Sequence, residues 1–270
     1  IIITRCYASR IFLSLFNISH YLEIHAELVG LTKFLMINMN YINSKYILNL
    51  IFITNALRKK FPMINKNKHL ILPDAVDVKN FRIKKNSRNK IKTATYIGSF
   101  HKGKGVELIL QIAKNFQNIR FNIYGNPLNK FSDLPKNVKI HGYIDYNKIP
   151  SALSQADILL LPSANVQFGR DENINIANYN SPCKMFYYLA AGKIILSSKR
   201  DGICEILKND HNSIIVSKYN QRFWVNELRN ILNNKYDLNK LRKNSIKTAK
   251  KYTFDKRINN ILKNNESLIG

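Results

Sequence analysis

From Thr93 onward the chain repeats one pattern: a short run of apolar residues, a glycine or proline, then a segment that reads as helix. The runs are TATYIG at 93–98, Ile119–Tyr124, Val138–His141, Ile158–Leu161, Ile194–Ser197 and Ser213–Val216. The expected helices among them are Gly105–Asn115, Ile149–Gln155, Cys183–Ala191 and Gly202–Lys208, with further helices to the end. Because the runs are apolar throughout instead of alternating, each is expected to be covered on both faces, and strands joined through helices run parallel. The fold class that follows is α/β, a doubly wound parallel sheet. In such sheets ligands sit beyond the carboxyl ends of the strands, where loops meet helix N-termini.

Before Thr93 the alternation is present but less regular. Ile1–Thr4 and Tyr21–His25 read as strands with a helix, Ser9–Phe16, between them. Leu28, Leu31, Phe34 and Leu35 carry helical spacing, and Leu50–Thr54 (LIFIT) reads as a strand. Asn55 is expected to cap a turn or two, Ala56–Phe61, which Pro62 stops. The basic, apolar-poor stretch Arg82–Lys92 has the composition of a linker. A chain of 270 residues is long enough for two modest cores. The expected organisation is a first unit over 1–75, a second over 76–250, and a final helical segment over 251–270. The first residue is Ile, not Met, and the first unit is expected to be part of a longer one.

Lys and Arg outnumber Asp and Glu by 43 to 17, a formal charge of +26 that favours phosphorylated or otherwise anionic partners. The basic residues are interspersed with Asn and Ile, as in ILNNKYDLNKLRKNSIKTAKK, and this scatter argues against the one-faced footprint of a nucleic-acid binder. An anionic membrane surface is a partner the charge allows. Cys6, Cys183 and Cys204 have neither paired spacing nor nearby histidines, so no disulfide framework or zinc site is expected and a reducing cytoplasm fits. The longest apolar stretch, Tyr46–Ala56, is far shorter than the ~20 residues of a membrane helix.

Two constellations carry chemistry. In Tyr96-Ile-Gly-Ser-Phe-His-Lys-Gly-Lys-Gly105 a strand leaves through Gly98 and a helix begins after Gly105; the glycines permit close approach, and Lys102 and Lys104 add positive charge. A phosphate is a natural guest, and an ordinary strand-to-helix turn is the alternative. In Asn180-Ser-Pro-Cys-Lys-Met-Phe-Tyr-Tyr-Leu-Ala-Ala-Gly192, Ser181 is expected as N-cap and Pro182 as first helical residue. Lys184 then lies in the first turn, where the helix dipole repels a cation unless an anion is also bound.

PDAVDVKNF, YIGSFHKGKGVELIL, FNIYG, VKIHGYI, ADILLLPS, SPCKMFYYLAAGKIILSS, GICEIL, NSIIV and KKYTFDKRINNIL follow one another in the order and spacing of family 4 glycosyltransferases. The likeness spans Pro73 to Leu262 and is nearest to bacterial members that build cell-surface polysaccharides. YLEIHAE, LIFITNAL and PDAVD resemble the end of the same family's N-terminal domain. The resemblance implies a GT-B fold with two Rossmann-like domains and a terminal helix that returns to the first. It implies retaining transfer of a sugar from a nucleotide-diphosphate donor to a glycan or lipid-linked acceptor on the cytoplasmic, inner face of a membrane, with no required metal. Gly98, Ser99, Lys102, Lys104, Ser181, Pro182, Cys183 and Lys184 would hold the diphosphate, and His25 would face the donor sugar as the catalytic residue. A partly buried histidine at a strand end is the plainer reading of His25.

The chain departs from the family at several of these positions. Tyr187 stands where a ribose-binding Glu is expected, Tyr179 eight residues earlier replaces the first Glu of the pair, and Ser99 stands where an Arg is common. Asp171 and Glu172 lie nearby in a loop and reach the site only by a different backbone path. A catalytically degenerate sugar-nucleotide-binding or scaffold protein is therefore the alternative to an active transferase.

Overall fold

The computed structural model describes residues 1–64, 68–81, 91–126, 133–168 and 174–269, the side chains of 265–269 excepted. Its strands are β1 (Ile3–Thr4), β2 (His20–Ile24), β3 (Ile47–Phe52), β4 (His69–Ile71), β5 (Thr93–Ile97), β6 (Arg120–Tyr124), β7 (Val138–Ile140), β8 (Ile158–Leu161), β9 (Ile194–Ser198) and β10 (Ile214–Val216). The helices are α1 (Tyr7–Leu15), α2 (Gly30–Lys33), α3 (Asn55–Arg58), α4 (Val106–Ala113), α5 (Ile149–Ser154), α6 (Cys183–Ala191), α7 (Asp201–Cys204), α8 (Gln221–Leu232), α9 (Leu238–Ala249) and α10 (Phe254–Ile269).

The strands form two wholly parallel sheets, a four-stranded one in the order β1-β2-β3-β4 and a six-stranded one in the order β10-β9-β8-β5-β6-β7. Every residue of β5, β8 and β9 is buried, as the continuous apolar runs demand of central strands covered on both faces. One core, around Ile109, Phe121, Leu160 and Trp224, fills one face of the six-stranded sheet, and another, around Leu159, Met185, Leu189 and Ile195, fills the opposite face. The four-stranded sheet has a core of its own around Leu22, Leu50, Phe52 and Phe61.

The last helix, α10, packs on the four-stranded sheet, where Ile261 joins Tyr21, Ile51 and Leu72. Its Arg257 donates to the carbonyls of Pro73 and Leu72 and to the carboxylate of Glu23. The two sheets are further tied by Thr54, whose hydroxyl donates to the Tyr179 carbonyl at 2.8 Å, and by Glu205, whose carboxylate accepts from the backbone of Asn55 and Ala56. Among the described residues no helix is long and apolar enough to cross a membrane.

Three local expectations are corrected. The N-cap of α3 is Thr54, whose side chain accepts from the Leu57 amide; Asn55 is already helical, and Glu205 from the other half satisfies its amide. Leu31 and Phe34 do not build a buried helical face: they are 72% and 53% exposed, because α2 lasts one turn and continues as a π-helical turn, Phe34–Asn38, that rotates Met36 into the core instead. At α6 the N-cap is Pro182, in extended conformation and without a side-chain cap, whereas Ser181 is buried and its hydroxyl has no hydrogen-bond partner among the described residues. The linker proposed at Arg82–Lys92 falls, up to residue 90, outside the described residues, as do Asp171 and Glu172.

Candidate functional site

The six-stranded sheet reverses its winding between β5 and β8, which makes the carboxyl ends of those two strands its switch point. β5 ends at Gly98, whose φ of +150° is a conformation that L side chains avoid. A Cβ there would stand 2.3 Å from the Lys184 amine, so the side chain of α6 lies directly on the turn. Gly105 caps α4 at φ +84°, and a Cβ there would stand 2.5 Å from the ring of Pro162, the residue that follows β8. The turn of 98–105 and the start of α6 therefore meet across the switch point, as a shared anion site requires.

Lys184 Nζ lies 3.9 Å from the centroid of the Tyr96 ring, a cation–π contact from a strand whose side chains are otherwise core. The ring is held in place by its hydroxyl, which donates to the Ser99 carbonyl at 2.8 Å. Tyr188, one turn further along α6, accepts from the Ile97 amide at 2.9 Å and pins the helix to β5. Burial, and then the charge of Lys104, hold the Lys184 amine well below the usual lysine range. Burial likewise lowers Lys104. Neither amine has an ion-pair partner among the described residues. Two cations desolvated side by side are an unfavourable arrangement in a ligand-free protein, and an anion between them reverses its sign.

The rest of the α6 entrance is polar but not basic. Cys183 lies 3.4 Å from the Asp74 carboxylate, and burial followed by Asp74 pushes its thiol up to about 12, so it stays protonated and donates. Ser99 and Lys102 are exposed on the turn. Tyr187 lies in an aromatic cluster: its ring stacks on Phe81 with centroids 6.3 Å apart and meets Tyr146 edge-on at 5.8 Å. These three rings, with Ile149 and Pro150, line a cavity of about 200 Å³ beside the crevice. Burial first, then Cys183 and Tyr146, push the Tyr187 phenol up to about 12, so at neutral pH it offers a hydroxyl where an acidic side chain would offer a charge. Tyr179 is buried in the core of the four-stranded sheet, away from α6's first turn.

The opposite wall comes from the carboxyl ends of β1 and β2. His25, one residue past β2, lies 2.8 Å from a Glu23 oxygen, and Arg5, one residue past β1, lies 3.0 Å from the same imidazole nitrogen. Glu23 also accepts from Arg257 at 2.7 Å. Burial opposes the charge on Glu23, but the hydrogen bond from His25 and the charges of Arg257 and Arg5 outweigh it, and its pKa is lowered. His25 belongs to a network centred on Glu23 that joins the ends of β1 and β2 to α10. Sequence reasoning did not single out Arg5, Glu23, Tyr96, Asp74 or Arg257. For Glu23 a signal was present, since residues two apart on a strand share a face; for Arg257, far along the chain, there was none.

Two wholly parallel sheets tied together by α10, Thr54 and Glu205 make this a GT-B fold. Residues 77–252 match the family "Glycosyl transferases group 1", and the chain belongs to that family. The fold is shared with Alr3699/HepE of Anabaena, solved with UDP-glucose, at 13% identity and a TM-score of 0.72 over 98% of this chain and 78% of that one. It is shared also with the lipopolysaccharide outer core galactosyltransferase WaaB, at 13% identity and a TM-score of 0.69 over 98% of this chain and 74% of that one. In sequence, an uncharacterized 41.2 kDa protein in the cps region of Klebsiella pneumoniae is 31% identical over 118 residues. That stretch is 39% of this chain and 33% of the relative, so the match spans a third of the relative's length.

Proposed function

We propose that this chain carries the donor site of a family 4, retaining glycosyltransferase that moves a sugar from a nucleotide-diphosphate donor to a glycan or lipid-linked acceptor in cell-surface polysaccharide synthesis. The observation that carries the reading is the pair of desolvated amines, Lys104 and Lys184, brought together at the Gly98 turn without a carboxylate partner among the described residues. As the donor's glycosidic bond breaks, negative charge develops on the leaving diphosphate, and preorganised cations lower the barrier by stabilising it. Two lysines and the open amides at the start of α6 supply the charge that a divalent ion would supply, so no metal is required. Residues 1–75 form the acceptor side, 76–250 the donor side, and 251–270 join them.

In this mechanism Gly98 and Ser99 let the phosphates approach the backbone, Lys102 adds charge at the rim, and Ser181, Pro182 and Cys183 form the entrance of α6. His25, oriented by Glu23, faces the donor sugar from the first sheet. The solved relative that binds UDP-glucose and the galactosyltransferase of lipopolysaccharide are consistent with a nucleotide sugar and a surface glycan. The relative in a cps region is consistent with the same context. The basic surface suits an enzyme that works at the cytoplasmic face of an anionic membrane.

A second reading, a binding protein that no longer turns over, is favoured by Tyr187, whose ring is committed to Phe81 and Tyr146. Calorimetry with UDP, paired with donor hydrolysis in the presence and absence of a chelator, separates the two. Binding with chelator-resistant turnover supports the transferase; binding without turnover, even in Tyr187→Glu, supports the second reading; no binding to UDP or other nucleotide diphosphates removes both.

A further inference from the structure

Arg5 occupies an unusual position in the network on the first sheet. It directly follows β1, which pairs in parallel with β2, so its side chain emerges beside His25 at the same sheet edge. Its Nε and Nη2 stand 3.0 and 2.6 Å from His25 Nε2, and that same nitrogen is 2.8 Å from Glu23 Oε1. One imidazole nitrogen cannot serve both. With a proton, it donates to Glu23 and opposes the guanidinium N–H groups; without one, its single lone pair accepts from Arg5 and the Glu23 oxygen loses its donor. With Nε2 protonated, the ring acceptor left to Arg5 is Nδ1, 3.2 Å from its Nη2, so Arg5 keeps one long contact while Glu23 keeps its donor.

Arg5 is the partner that can leave. Glu23 is 8% exposed and also held by Arg257 at 2.7 Å, whereas Arg5 is 62% exposed and stands 3.8 Å from the other Glu23 oxygen. The hydrogen bonds found for the Arg5 guanidinium go to His25 alone. It stands at the same carboxyl edge of the first sheet as Asp74, whose carboxylate lies 3.4 Å from the thiol of Cys183 at the entrance of α6.

We propose that Arg5 is a third cation of the crevice, an arm that exchanges His25 for a phosphoryl group when a phosphorylated ligand enters. The inference rests on the reading of the crevice as a diphosphate site. A guanidinium presents two parallel N–H donors to a phosphate, a geometry that a ring nitrogen cannot match. Release of Arg5 lets His25 Nε2 keep its proton and donate to Glu23 without opposition, so ligand binding and the orientation of His25 become one event. Arg5 thereby links the first sheet to a ligand held mainly by the second. The phosphoryl group belongs either to the donor or to the acceptor, and the two sources give different results.

The test is calorimetry of wild type, Arg5→Ala and Arg5→Lys with UDP, uridine and inorganic pyrophosphate, and with glycerol 3-phosphate at saturating UDP. A donor phosphate on Arg5 makes Arg5→Ala about 10- to 100-fold weaker for UDP and pyrophosphate, leaves uridine unchanged, and lets Arg5→Lys recover part of the loss. An acceptor phosphate leaves UDP unchanged and weakens glycerol 3-phosphate by a similar factor. Long-range ¹H–¹⁵N spectra of His25 give a second readout: UDP or pyrophosphate moves Nε2 of the wild type toward the protonated donor, the state Arg5→Ala shows without ligand. Affinities for all four ligands within about twofold of wild type in Arg5→Ala overturn the proposal. Arg5-dependent binding of pyrophosphate by a protein that ignores nucleotide diphosphates keeps the arm and removes the nucleotide-sugar reading.

Discussion

On the wall built by the four-stranded sheet, Arg5, His25 and Arg257 gather around one buried carboxylate, Glu23; on the wall built by the six-stranded sheet, Lys104 and Lys184 have no carboxylate partner among the described residues. On the first wall one carboxylate offsets part of the positive charge and holds three elements in register. Charge on the second is left for a ligand to neutralise. Positive residues alone therefore do not mark an anion site, and the scatter of lysines over this chain says little about where one is. What marks it is desolvated positive charge without a partner, a state that costs stability until the anion arrives.

Removing the carboxylate from the first wall is the largest expected effect. Glu23→Ala leaves the half-buried Arg257 without its carboxylate partner and is expected to lower unfolding stability by about 3 kcal/mol, measured by urea denaturation. The pH dependence follows from the sign of the shift. The Glu23 carboxyl is below its ordinary value of 4.5, so its stabilisation is complete above that value and disappears as pH falls through the depressed one. Glu23→Gln should lack that limb of the acid-denaturation curve.

On the second wall the expectation is opposite for stability and large for binding. Lys184→Ala should weaken UDP by roughly 1 to 3 kcal/mol while leaving the ligand-free fold as stable as wild type or more so. Because the Lys184 pKa is depressed from 10.5, the unfolded state binds more protons than the folded one between the two values, and this residue's contribution makes stability rise with pH across that window. A bound anion raises the Lys184 pKa again, so UDP binding should take up protons at any pH between the free and bound values. Calorimetry in two buffers of different ionisation enthalpy measures the uptake, and Lys184→Ala should reduce it.

A smaller effect is expected at the turn between the walls. Gly98→Ala forces a side chain into φ +150° and onto the Lys184 amine, and should cost about 1 to 3 kcal/mol of stability together with some UDP affinity. Tyr187→Phe should change least, by less than about 1 kcal/mol in UDP affinity, because it removes one hydroxyl and leaves the stack on Phe81 intact. A Tyr187→Phe loss as large as that of Lys184→Ala would move the centre of the site from the lysines to the aromatic cavity.

Much of this molecule was legible in the order of its residues. β5, β8 and β9 lie where continuous apolar runs put them, and α6 ends at the expected residue. The reading faltered where a neighbour from elsewhere in the chain decided the outcome. Glu205 satisfies the first amides of α3, and a π-helical turn turns Met36 inward in place of Phe34. The N-cap of α6 shifted to Pro182 while Ser181 was buried instead of capping, a difference of one residue that spacing cannot resolve.

Local pattern determined the strands, the helices and the glycine turn, because backbone preference and the period of burial act over a few neighbouring residues. It also placed Lys184 at the positive end of a helix, where only a bound anion makes a cation comfortable. Tertiary structure decided that Lys104 stands beside it unpaired, that Tyr187 is drawn into an aromatic cluster, and that Arg5 and Glu23 compete for one nitrogen of His25. These are interactions over a few ångströms between residues distant in the chain, and their strength depends on how much water the fold removes from around each charge.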